Sequence, residues 1–360
     1  MVLPSPQTTP YSPKKNLIWR VPSIVWVRTT VCLVVSISIF LVLSLYIYRD
    51  VEISVPKAKG DKPRLKQDFS YRHGTPETDT SLEEGEERPL ILYAYHEKKN
   101  ARQNARFFIN HGLHAHADFI FILNGETNLS NDLPTAPNIK IIRRDNTCFD
   151  LGSYAEVLTR NDNELINKYK KFILMNASIR GPFLPTWSRE CWTDAWLAKV
   201  TDTNKLVGMT LNCRPSRHIQ SMIFATDRIG LNLLLRRINT CFPTFRSAVE
   251  AETECTGIVM ESGYSVTALM TAFASDKDYA TKCRHTDVLH QNKYYGTTIH
   301  PYESMFQKAN RKLAPEQLEL LTKWHERSNY SSWDICRKAY NIRKATRLMK
   351  EKGYDLDFGL

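Results

Sequence analysis

The chain has 360 residues, 42% of them hydrophobic and 24% charged, which supports a sizeable core and excludes a wholly disordered or fibrous protein. Its formal net charge of +11 suits an anionic ligand or an anionic surface. No dense Lys/Arg block, zinc-finger spacing or aromatic-basic stripe accompanies that charge, so nucleic acid is not an expected partner.

Residues 1–20 are rich in Pro, Ser and Thr and read as disordered. Residues 31–48, VCLVVSISIFLVLSLYIY, carry no charge. With the apolar residues from Val21 to Val27 they are long enough to cross a bilayer as a helix. Lys14, Lys15, Arg20 and Arg28 lie upstream, and Arg49, Asp50 and Glu52 lie downstream. That bias predicts a cytoplasmic tail over 1–23, a signal-anchor span over 24–48 and a lumenal or external remainder. A cleaved signal peptide is the competing reading; its apolar core would be long, and no small-x-small site precedes the charges. Residues 49–88 are polar, end in the acidic run Glu83, Glu84, Glu86 and Glu87, and read as a flexible stem. Tail, span, stem and globule make the layout of a type II Golgi membrane enzyme, although proteases and receptors share it.

The globule starts at Pro89. Buried-strand runs follow at 90–95, 118–123, 139–143 and 171–175, separated by a helix over 100–112, a loop, and a helix over 151–169. This alternation predicts an α/β fold with a mostly parallel sheet and flanking helices. Right-handed crossovers then bring the strand carboxyl ends to one edge, where open α/β sheets bind ligands. Further along, the pattern predicts a short helix at 191–200, strands at 206–212 and 220–226, and a helix at 228–237. Helix on both sides of Gly263 is expected over 248–273, and a basic helical segment after Pro315 completes the chain. The domain expectation is a lumenal unit over 89–312 with a helical extension over 313–360.

Cys32 falls in the expected span, and Cys148, Cys191, Cys213, Cys241, Cys255, Cys283 and Cys336 lie beyond it. An oxidising compartment would allow three disulfides and one free thiol, with a pairing that spacing does not fix. No CxxC or Cys/His zinc spacing occurs. N-glycosylation sequons stand at Asn128, Asn176 and Asn329. The expected glycosylation sites are Asn128 and Asn329, because Asn176 emerges directly from a core strand.

The strand ends carry the candidate chemistry. Tyr95-His96, Asn124-Gly125, Arg144-Asp145-Asn146 and Asn176-Ala177-Ser178 all fall at that edge. Arg143 and Arg144 could oppose a diphosphate, Asp145 and Asn146 could contact a base or ribose, and Gly152 could let the backbone approach a ligand. The alternative for this stretch is a helix start, with Asp150 as the cap. His218, Gln220 and Ser221 stand at the mouth of a strand, although a lone His is more often structural. Glu252, Glu254 and Glu261 offer a carboxylate for the acceptor proton of a sugar transfer, or are simply surface residues of a helix. His300 and Glu303 sit in a loop that could close over a nucleotide.

The blocks LILYAYHEKKNARQNARFFINHGL, DNTCFDLGSYAEVL, FILMNASIRGPFLP, HIQSMIFATDRIGL, the Glu254 to Tyr264 segment and HPYESMFQKANR occur in that order over residues 90–311. Together they resemble the rhamnan synthesis protein F-like glycosyltransferase family. The resemblance implies a GT-A-like (Rossmann-like) transferase using a nucleotide-diphosphate sugar as co-substrate. Many GT-A enzymes carry an Asp-x-Asp for Mn2+ or Mg2+ where this chain has Asn176 and Ser178, and neutral oxygens hold a hard divalent cation less well than carboxylates. The arginines, or a lone metal contact from Asp145, would then face the diphosphate.

The expected function is therefore transfer of a hexosyl or pentosyl group to a hydroxyl of a glycan, protein or lipid in the Golgi lumen. Glu254 is the expected base, His218 with Gln220 and Ser221 shapes the sugar or acceptor pocket, and His300 closes the site. Tyr95, Arg144, Asp145, Asn146, Gly152, Asn176 and Ser178 line the donor. The alternative is a non-catalytic membrane protein that keeps the fold as a sugar-binding or scaffolding module. A type II hydrolase would need a nucleophile elbow or zinc motif that the sequence lacks.

Overall fold

The computed structural model describes residues 88–276, 278–279, 287–328 and 330–352. The expected tail, span and nearly all of the stem lie outside these residues, as do Cys283 and the sequon asparagine Asn329. Among the described residues no helix is long and apolar enough to cross a membrane.

Eleven described strands alternate with the helices: β1 (Leu90–His96), β2 (Asp118–Asn124), β3 (Ile139–Arg144), β4 (Lys171–Asn176), β5 (Ile179–Arg180), β6 (Asn204–Gly208), β7 (Leu211–Asn212), β8 (His218–Ile219), β9 (Ile223–Asp227), β10 (Ser265–Ala268) and β11 (Gln307–Lys308). The central sheet runs in the order β10-β6-β9-β4-β1-β2-β3. β9 is antiparallel to both neighbours, β4 and β6, and every other pairing in this sheet is parallel. Two small antiparallel pairs, β5 with β11 and β7 with β8, stand beside it. The unbroken apolar runs of β1 and β2 follow from this position, because helices cover both faces and their side chains are buried.

The covering helices are α1 (Lys99–His111), α2 (Phe149–Leu158), α3 (Arg160–Lys168), α4 (Trp192–Leu197), α5 (Arg228–Ile238), α6 (Phe245–Glu261), α7 (Thr271–Ser275), α8 (Pro301–Ser304), α9 (Pro315–Arg327) and α10 (Ser332–Glu351). α1 lays Phe108 against Tyr93 of β1, with ring centroids 5.0 Å apart. α9 sets Leu318 and Leu321 against Phe107 and Phe183. Cys191–Cys336 fastens α10 to the start of α4, and Cys148–Cys241 joins the start of α2 to the link between α5 and α6. Cys213 is also disulfide-bonded, and Cys255 is a buried free thiol.

Three expected elements change. The helix over 151–169 is two helices, because Asn161, Asp162 and Asn163 turn left-handed between them, with φ of 49°, 54° and 63°. Short polar side chains tolerate that conformation. The strand at 206–212 splits, since Thr210 bonds Gln220 through both backbone and side chain and bends β7 away to pair with β8. The helix expected after Gly263 is instead β10. Gly263 ends α6 with a φ of +84°, and the β-branched Val266 and Thr267 then add to the free edge of β6.

The feature that positions the site is the β5–β11 pair. Gly181 follows β5 with a φ of +153°, and a Cβ there would lie 2.4 Å from the Met305 carbonyl oxygen and 2.5 Å from the Phe306 ring. Phe306 is buried against Trp192 and Trp196. β11 is thus held between an aromatic anchor and a bare glycine. Gly181→Ala is expected to destabilise the protein by about 3 kcal/mol in urea unfolding, through overpacking and backbone strain. Gly257→Ala, mid-helix in α6 where a Cβ meets nothing nearer than 3.9 Å, should instead raise stability by up to about 1 kcal/mol.

Candidate active site at the carboxyl edge of the sheet

The strand register lines up the carboxyl ends: His96 opposite Asn124, Asn124 opposite Arg144, and Ala94 opposite Asn176. Just past β4 the ladder continues through Ala177 N–H to the Ala94 carbonyl at 3.1 Å, and Asn104 Nδ2 holds the Ala177 carbonyl at 2.9 Å. The backbone at Asn176 is therefore fixed on both sides before its side chain makes any contact.

The Asn176 amide then bridges two neighbours. Its Nδ2 donates to Asp150 Oδ2 at 2.5 Å. Its Oδ1 accepts from the Ser178 N–H at 3.0 Å and from Ser178 Oγ at 2.5 Å. Lys308 Nζ donates to Ser178 Oγ at 2.8 Å. The result is a continuous chain, Asp150–Asn176–Ser178–Lys308, drawn from α2, β4, the β4–β5 link and β11. Glu252 approaches from α6, where its Oε1 accepts from the Ser221 N–H at 2.5 Å.

The electrostatics match this crowding. Burial, and then the neighbouring Glu252 carboxylate, push the Asp150 carboxyl above its ordinary range, against the pull of the Asn176 amide and Lys308. Burial, and then Arg311, lower the Lys308 ammonium to about 8, while Glu252, Asp150 and Asp287 pull it up. A carboxylic acid and an amine shifted toward each other's range are groups whose protonation can change during a reaction.

The sequence-expected residues divide into those at this cluster and those away from it. Asn176 and Ser178 are its centre, and Ser221 touches it through Glu252. His218 is buried in β8 with Nδ1 on the Ser216 carbonyl at 2.7 Å, and Gln220 accepts from Thr210 Oγ1 at 2.7 Å. His300 caps α8 by accepting from the Tyr302 N–H at 3.1 Å, and burial lowers its pKa. Glu254 is exposed on α6 and ion-paired with Arg237, turned away from Glu252. Tyr95 is buried and donates to Glu97 at 2.8 Å. Burial alone would raise the Glu97 carboxyl, but hydrogen bonds from Arg102, Thr127 and Tyr95 bring it down to about 2.

Along β3, Arg144 has a side chain only 5% exposed, paired with Glu156 and bonded to Asn124 Oδ1 at 2.7 Å. Arg143 bonds the Thr127 carbonyl and Ser130 Oγ. Arg144 is thus engaged within the fold, whereas Arg143 is exposed on β3 and tied to the β2–β3 link. Asp145 and Asn146 are exposed in the β3–α2 loop, with Asn146 Nδ2 3.4 Å from His96 Nε2. Gly152 has a packing reason in place of a ligand one: a Cβ there would lie 2.8 Å from Cys148 Cβ and 2.9 Å from the Thr240 carbonyl. Asn128 is exposed, with its side-chain oxygen accepting from Arg102.

A divalent cation does not fit this donor set. Asn176 Oδ1 already takes two donors, Asp150 takes the Asn176 amide and the Leu151 N–H, and an ammonium group occupies the corner beside Ser178. Among the described residues, the one convergent group of three metal-ligating types is His114, Cys191 and Cys336, and those two cysteines form a disulfide. Asp145 belongs to no such group.

The sequence gives Asp150 and Lys308 no chemical role and leaves Glu252 undistinguished from Glu254. The sequence offers Asp150 as a helix cap, whereas the cap position is Cys148, with a φ of +67°, and Asp150 lies in the first turn. Lys308 lies in the HPYESMFQKANR block without a distinguishing signal. Glu252 was separable from Glu254: Ala248, Ala251, Cys255 and Val259 mark the buried face of α6, and Glu252 falls on it.

No family model matches the chain, and no curated protein does. Among solved structures it is similar to a mannosyltransferase, PcManGT from Pyrobaculum calidifontis in complex with GDP-Man and Mn2+, at 13% identity over 51% of this chain and 54% of that one, with a TM-score of 0.33. It is also similar to a cytidylyltransferase from Leptospira borgpetersenii serovar Hardjo-bovis, at 8% identity over 51% of this chain and 75% of that one, with a TM-score of 0.32. The chain spans about half the length of the mannosyltransferase. At TM-scores this low neither neighbour assigns an activity.

A carboxyl whose folded pKa is raised favours the fold when protonated and costs stability as pH rises through that pKa. The melting temperature of Asp150→Asn should therefore fall less than that of the wild type between pH 4 and pH 8, on top of a constant cost from an amide that offers one acceptor oxygen where the carboxylate offers two; thermal unfolding across that range checks it.

Proposed function

We propose that the chain is a GT-A-like glycosyltransferase that moves a sugar from a nucleotide-diphosphate donor to a hydroxyl of a glycan, protein or lipid, as a single-pass type II protein of the Golgi membrane. The observation that carries this reading is the chain Asp150–Asn176–Ser178–Lys308 at the carboxyl ends of parallel strands, where open α/β sheets place their ligands.

In this reading His96, Asn124, Asp145 and Asn146 border the nucleotide, and Asn176 with Ser178 lines the diphosphate. Glu252, rather than Glu254, takes the acceptor proton, because it faces the cluster and is held by the Ser221 N–H. His218 and Gln220 support the acceptor side from behind, and His300 orders the segment that leads to β11. Asn128 carries glycan. Asn176 does not, because its amide nitrogen is committed to Asp150.

Nucleotide release from UDP-, GDP- and dTDP-linked sugars, with acceptor extracts, tests the proposal. One donor should turn over. Glu252→Gln is expected to lower kcat by about 10^2- to 10^4-fold with the donor KM little changed, and Glu254→Gln should stay near wild type. Stabilisation by a donor without turnover in any extract would instead mark a sugar-binding or scaffolding module.

A further inference from the structure

We infer that Lys308, delivered by β11 to the corner beside Ser178, supplies the positive charge that meets the donor's diphosphate, so that transfer needs no divalent cation. The inference rests on the glycosyltransferase reading and names the group that does a metal's work within it.

Lys308 is placed by an over-determined backbone. It pairs with Ile179 in the β5–β11 register, and the Ala309 N–H bonds the Ser178 carbonyl at 2.9 Å. The Phe183 N–H bonds the Met305 carbonyl at 2.6 Å, and Ser304 Oγ bonds the Phe306 carbonyl at 2.9 Å. Buried Phe306 and bare Gly181 lock the same strand pair. A cation held this rigidly is ordered before any ligand arrives, which avoids an ordering cost on binding. An ammonium carries three protons, and the Ser178 hydroxyl takes one.

The other candidates for the charge are engaged elsewhere. Arg144 is held within the fold, Arg143 is tied to the β2–β3 link, Arg311 is paired with Asp287, and the oxygens of Asn176 and Asp150 already accept hydrogen bonds. In the transfer, the acceptor oxygen forms its bond to the anomeric carbon and gives its proton to Glu252. The bond from that carbon to the β-phosphate oxygen breaks with its electron pair on the phosphate. The new negative charge falls to Lys308. A half-buried amine lowered to about 8 regains charge beside such an anion, so binding should weaken as pH rises past that point.

Calorimetric titration of the full-length protein in detergent with UDP, GDP and dTDP tests this, in EDTA and then in Mn2+ or Mg2+. The expected result is that one nucleoside diphosphate binds equally under both conditions. Lys308→Gln should weaken it about 10- to 100-fold, with the matching nucleoside unaffected and Lys308→Arg partly restoring affinity. If Lys308→Gln does not fold, wild-type binding in EDTA that falls above pH 8 carries the same expectation. Binding only with metal, or equal affinity in folded Lys308→Gln, would overturn the inference and leave the glycosyltransferase reading standing. No diphosphate binding under either condition would overturn both.

Discussion

The amide of Asn176 is the side chain that joins the polar cluster at the sheet edge. An amide donates from one end and accepts at the other, so it can join a carboxyl group to a hydroxyl without adding charge. A carboxylate at this position could not donate to Asp150 and would set two like charges against each other. The neutral residue therefore lets an acidic group and a basic group sit at opposite ends of one hydrogen-bonded chain. The same neutrality leaves little for a divalent ion to bind.

Placing such a chain inside a fold requires its members to come from elements far apart in sequence. Asp150 comes from the first turn of α2, Asn176 from the end of β4, and Lys308 from a two-residue strand reached after the last strand of the central sheet. Each is held by packing that has nothing to do with charge: Gly152 against the Cys148–Cys241 bridge, the β4 backbone against β1, and Phe306 against two tryptophans. Buried polar groups are costly unless satisfied, and here most of that satisfaction comes from within the cluster.

Much of the sheet was legible in the sequence because a parallel core strand is apolar on both faces and leaves a long uninterrupted run, as LILYAY and DFIFIL do. The two-residue strands β5, β8 and β11 were not, since they are too short to show any period, and β7 was merged with β6 into one strand. β10 was read as helix because Val266 and Thr267 follow a long helix, and only the unpaired edge of β6 makes them a strand. Asn176 and Ser178 stood out as polar residues ending an apolar run. Arg144 looked like a ligand group because its partner Glu156 is one helix away, a tertiary fact with no local signature. Lys308 was hidden for the opposite reason: a lysine in a loop is usually solvated, and its insertion depends on a glycine and a phenylalanine that sequence alone does not connect to it.

The bridge between Cys148 and Cys241 closes a span of 93 residues. Asp150 follows one of its sulfurs almost at once, and Glu252 lies on the helix that begins shortly after the other. The two carboxyl-bearing helices are thus cross-braced by a covalent strut near their starts, and how far those acids can drift apart is limited by bonds as well as by van der Waals contact. In a thiol-rich compartment that brace would open, and the spacing of the acids would rest on side-chain packing alone.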